Sequence, residues 1–131
     1  MHRTSGQAAL SFVFIIGGIM IAIAVTLAVL ALSFLSSGFG YQSALRAQAA
    51  ATAGAEDAVQ QLVRSPSYAG STITVGSDSA TITVTPDSPV SGQYTIVSIS
   101  TVSSVLRKVQ VVVAINVTTG EVTVLSWSLI T

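Results

Sequence analysis

Phe12 to Leu32 reads FVFIIGGIMIAIAVTLAVLAL, a run whose only hydroxyl is Thr26 and whose only departures from apolar side chains are Gly17 and Gly18. About 20 such residues, wound as a helix, span ~30 Å of hydrocarbon, so the run is long enough to cross a bilayer. A helix packed in a soluble domain keeps a polar stripe where one face meets water. This run has none. Its flanks extend the pattern, because no charged side chain occurs anywhere from Gln7 to Leu45.

The bias is local. Of 131 residues, 50% are hydrophobic and 8% charged, mean hydropathy is +0.76, and the excess lies almost wholly in the first third. What remains is about half an ordinary domain. Formal net charge is zero, and the five basic residues, Arg3, Arg46, Arg64, Arg107 and Lys108, are scattered along the chain. Phosphate contacts need clustered cations, so nucleic acid is not an expected partner. The absence of cysteine excludes disulfides and thiolate metal sites.

Upstream of the run stand Met1-His2-Arg3-Thr4-Ser5-Gly6, with one arginine and no acid. By the positive-inside rule this end stays in the cytoplasm. A secretory signal peptide has a shorter apolar region, ~7 to 15 residues, before its cleavage site. Ala22-Ile23-Ala24 mimics such a site, but apolar residues continue well past it.

Downstream, Ser36-Ser37-Gly38-Phe39-Gly40 lowers helix propensity by about 1 kcal/mol per glycine and is a place where the helix is expected to loosen. Helical spacing then resumes as Tyr41, Ala44, Leu45, Gln48, Ala51, Ala55, Ala58, Val59 and Leu62, with Gln42, Arg46, Asp57, Gln60 and Arg64 on the other side. Arg64 suits the last turn, and Ser65-Pro66 stops the helix. An unbroken helix from Gln7 to Arg64 would rise roughly 87 Å, nearly three hydrocarbon thicknesses.

From Ser71 the period becomes two. Ile73 and Val75, then Ala80, Ile82 and Val84 among threonines, predict two strands joined at Gly76-Ser77-Asp78. A loop at Asp87 to Gly92, a strand near Gln93 to Thr101 and a turn at Ser103-Ser104 follow. The strand Val105 to Val117 puts Val109, Val111, Val113, Ile115 and Val117 on one face, and a last strand runs from Glu121 to Ile130. These predict an α+β fold, with one long N-terminal helix packed on a C-terminal antiparallel meander of four to five strands. The expected domains are a leader over 1–6, a membrane or core helix over 7–40, and a globular domain over 41–131. That domain comprises an amphipathic helix, 41–65, and a sheet, 71–130.

Catalytic, cofactor-binding and metal-ligating residues are not found. His2 is the only histidine, and Glu56 and Asp57, adjacent on a helix, point about 100° apart, so solvation explains them better than acid-base work. Gly17-Gly18 precede no Gly-Lys-Ser/Thr and form no phosphate loop; they permit close helix packing or are tolerated weak points. Asn116-Val117-Thr118 matches a glycosylation acceptor, and chance explains a pattern this short. Trp127 is expected in the small domain's core rather than at an interface.

A basic leader ending in Gly6, an uncharged apolar run from Ala8, and Ala53-Gly54-Ala55-Glu56-Asp57-Ala58 before a sheet together resemble the bacterial type IV pilins and pseudopilins. The resemblance implies cleavage after Gly6 by a membrane prepilin peptidase and methylation of the new N-terminus, Gln7. It implies assembly with other pilin-like subunits through the helix from Ala8 to Leu35, with Ser11, Phe12, Phe14, Gly17 and Gly18 in that surface. It also implies a single-pass protein of the cytoplasmic membrane that later joins an extracytoplasmic filament. Three positions depart from the family pattern. Ser11 stands where a glutamate is usual, prolines occur only at Pro66, Pro86 and Pro89, and Gln7 replaces the usual phenylalanine or methionine. The missing glutamate points to a minor or divergent subunit. The alternative is an N-terminally anchored binding module whose sheet recognises a ligand; an enzyme lacks candidate residues.

Overall fold

The computed structural model describes residues 5–130. Met1 to Thr4, including the leader's Arg3, lie outside the described residues. One helix, α1 (Ser5–Arg64), precedes β1 (Thr72–Val75), β2 (Asp78–Pro86), β3 (Gln93–Val102), β4 (Val105–Ile115) and β5 (Val122–Ile130). The strands form one sheet in sequence order, each neighbouring pair antiparallel. This is the predicted α+β layout of a long helix and a five-stranded meander. The chain divides into two units, Met1–Phe39 and Gly40–Thr131.

In the first unit α1 begins at Ser5, so Ser5 and Gly6 are already helical. Hydroxyls inside the apolar run are satisfied within the helix: Ser11 Oγ donates to the Gln7 carbonyl at 3.1 Å and Thr26 Oγ1 to that of Ala22 at 2.8 Å. The interval at Ser36 to Gly40, expected to loosen, is helical throughout. Ser36 and Ser37 both donate to the Ser33 carbonyl, at 2.9 and 3.0 Å. Two glycines cost about 2 kcal/mol of propensity, which the helix on either side of them tolerates.

In the second unit α1 closes the core. Ala51, Ala55, Ala58 and Leu62 pack with Ile82, Val84, Ile96, Val109, Val111, Val113 and Ile115. The buried line also takes in Ala47 and Ala50, whereas Tyr41, Leu45 and Gln48, placed on the apolar stripe by spacing, are exposed. The sheet selects the line with the smallest side chains because backbone and sheet approach most closely there. Gly54 sits in that line, where a Cβ would run into Ser98 Oγ and lie 3.0 Å from Ala80 Cβ. Ser98 itself is fully buried and its hydroxyl has no partner.

Arg46, assigned to the solvent side, reaches the hairpin between β1 and β2. Its Nε donates to Asp78 Oδ2 at 3.0 Å and its Nη2 to Asp78 Oδ1 at 2.8 Å and to Ser77 Oγ. After the helix, Gly70 at φ 120° lets the chain run against β2; a Cβ there would strike the Ile82 carbonyl.

Two further expectations are corrected. β4 ends at Ile115, not Val117, and Val117 is 84% exposed. The chain reverses at Asn116, whose Oδ1 accepts the N–H groups of Thr118 and Thr119 at 3.0 and 3.3 Å. Trp127 is opposite the buried Val111, on the core side of the sheet, yet it is 44% exposed. Five strands at ~4.8 Å spacing are about 19 Å across, and one helix ~10 Å wide covers only part of that. Val122 packs against the core, and the rest of the apolar row of β5, Val124, Trp127 and Leu129, is left exposed.

Candidate functional site

The residues assigned to processing and assembly all lie on α1 in the first unit. Gly6 and Gln7 are in its opening turns, followed by Ser11, Phe12, Phe14, Gly17 and Gly18. Phe12 and Phe14 are exposed, as are the other large apolar side chains from Leu10 to Phe39. Leu10, Val13, Phe14, Gly17, Gly18 and Ile21 line a shallow groove of about 440 Å³. Nothing lies within 4 Å of a Cβ built at Gly6, Gly17 or Gly18, so no contact within the chain requires a glycine at these places. The helix is long and apolar enough to cross a membrane.

From Leu10 to Phe39 this surface holds no acidic or basic side chain, and the hydroxyls of Ser11, Thr26, Ser36 and Ser37 are bonded back to the helix. What it can do is exchange one apolar environment for another, lipid for protein, with no charge to desolvate. In the second unit Glu56 is exposed and Asp57 half-buried on α1, and Asp78 is engaged by Arg46. Among the described residues no three of His, Cys, Asp and Glu are grouped to hold a metal ion.

Spacing alone missed three features: the contact of Gly54 with Ser98, the Arg46–Asp78 pair, and the exposed apolar row of β5. The last carried a signal. Apolar residues in β5 fall at Val122 and Val124, then at Trp127 and Leu129. The change from even to odd positions marks the bulge at Leu125, where the register passes from Val113↔Val124 to Val112↔Ser126.

These features define a class: a chain with, among its described residues, one candidate membrane span and a small helix-backed antiparallel sheet. No protein-family model, curated protein or solved structure matches it.

Proposed function

We infer that the protein is a structural subunit of a type IV pilus-like or type II secretion-like filament, in a minor or divergent role, assembling through α1 after its leader is removed. The observation that carries this reading is the single helix itself. Its first part bears exposed apolar residues and no charge, and its last part closes the core of a five-stranded sheet. A tether alone needs about 20 apolar residues; the uncharged stretch from Gln7 to Leu45 is nearly twice that. In the membrane the apolar surface faces lipid, and on assembly it faces the helices of other subunits, an exchange in which no charged side chain is desolvated. Gly6 and Gln7 are the processing residues of this reading, and a membrane-embedded prepilin peptidase is its first partner.

Intact-mass measurement on protein extracted from the host's membranes tests it. The expected species lacks residues 1–6, begins at Gln7 and carries one added methyl group. Protein retaining Met1 or His2 would overturn the reading and favour a permanently anchored module.

A further inference from the structure

Asn116 is the chain's only asparagine, and with Val117 and Thr118 it forms an Asn-x-Thr acceptor whose middle residue is not proline. On length alone chance accounts for the pattern, since serine and threonine are frequent in this sheet; the fold adds where the three residues lie and what each one does. They occupy the turn between β4 and β5, and every residue from Asn116 to Gly120 is exposed. The ends of the turn are tied together, Asn116 N–H donating to the Glu121 carbonyl at 2.9 Å and Gly120 N–H to that of Asn116 at 2.7 Å. The turn closes the end of the sheet opposite the β1–β2 hairpin that Arg46 holds.

Capping this turn explains only part of the triplet. Asn116 Oδ1 accepts the N–H groups of Thr118 and Thr119 at 3.0 and 3.3 Å, and an aspartate would serve there equally well. The two donors fix which end of the amide is oxygen, and they leave Nδ2 without a partner among the described residues. Thr119 is also employed, its Oγ1 accepting the Glu121 N–H at 3.4 Å. The Thr118 hydroxyl bonds to no described residue. The two groups that the fold leaves idle, Nδ2 of Asn116 and the hydroxyl of Thr118, are the two that define the acceptor.

We propose that Asn116 is an N-glycosylation site, modified on the extracytoplasmic side by a membrane transferase that draws on a lipid-linked oligosaccharide. Nδ2 attacks C1 of the sugar at the reducing end. The N–C1 bond forms as the C1–O bond to the lipid phosphate breaks, Nδ2 gives up one proton to a base of the transferase, and the lipid phosphate leaves. The sugar is bulky and polar, and at an exposed turn it displaces no buried side chain. The proposal rests on the filament reading only for the side of the membrane on which the sheet stands.

The test is a tryptic map of full-length protein extracted from the host's membranes. Cleavage after Lys108 frees 109–131, which holds the only asparagine. This fragment is expected to carry the added mass of an oligosaccharide. The addition should be lost completely in Asn116→Asp, which keeps the accepting oxygen, and in Thr118→Ala, which keeps the backbone N–H, with both variants folded by circular dichroism. A native fragment at its unmodified mass overturns the proposal, as does an addition that survives either substitution. The N-terminal fragment of the same digest begins at Gln7 if the leader is removed and upstream of Gln7 if it is not. An unmodified 109–131 beside a fragment beginning at Gln7 therefore overturns the glycan and leaves the filament reading standing.

Discussion

At Gly54 the helix and the sheet come closer than a side chain allows. Alanine is the better helix former by about 1 kcal/mol, so propensity alone favours Gly54→Ala. The Cβ, however, would run into Ser98 Oγ and press on Ala80, and overpacking of this kind costs ~1–3 kcal/mol. Gly54→Ala is expected to lower the melting temperature followed by circular dichroism in detergent. Ser98→Ala removes a buried hydroxyl with no partner and should be neutral or slightly stabilising. The double variant should lose less than the sum of the two changes; a Gly54→Ala protein that melts at or above the native temperature would contradict this packing. Gly6 presents the opposite case, since nothing in the folded chain crowds it. Gly6→Val should therefore leave the melt unchanged while abolishing leader removal, and N-terminal sequencing that still begins at Gln7 would refute the assigned cleavage site.

Among the elements, the β3–β4 hairpin carries strain that sequence change can relieve. Its two loop residues, Ser103 and Ser104, sit at φ 47° and 69°, the left-handed region that two-residue hairpins fill best with Asn-Gly. Replacing the pair by Asn-Gly is expected to raise stability by ~1 kcal/mol, read as a higher denaturant midpoint. The link between α1 and the β1–β2 hairpin works through a fork. Arg46 bonds both oxygens of Asp78, with the two side chains 54% and 16% exposed. Screening limits such a pair to about 1 kcal/mol or less. Arg46→Lys keeps the charge but not the two-point geometry, so it should lose nearly as much as Arg46→Ala. Equal stability of Arg46→Lys and the native chain would show that charge alone matters.

For the whole molecule, the filament reading turns on an uncharged assembly surface that lacks an acid at Ser11. In the pilin family that acid is expected to pair with the amine of a neighbouring subunit, which offsets the ~2.5–3.5 kcal/mol cost of an aspartate-like charge in a membrane helix. Serine avoids the cost by donating to the Gln7 carbonyl and forgoes the attraction. Ser11→Glu is therefore expected to raise this protein's copy number in sheared filaments, measured by quantitative mass spectrometry. Unchanged or lower abundance would count against a sparse role set by Ser11.

The sequence by itself determined the element types and their order. An uncharged run from Gln7 onward has one low-energy form away from water, a helix that bonds its own backbone, and alternating β-branched residues after Ser71 suit half-buried strands. The candidate assembly surface was legible for the same reason, because it depends on what is absent from a contiguous stretch rather than on what packs against it. Tertiary structure alone chose which line of alanines is buried. In a segment where alanine recurs on most faces, several lines satisfy the spacing, and the sheet takes the one that passes through Gly54 above Ser98 and Ala80. It also placed Arg46 against Asp78 and left Trp127 exposed. Periodicity records which side of a strand avoids water, but whether that side is covered depends on the width of what lies over it. One helix is narrower than five strands, so the apolar side of β5 beyond Val122 remains open.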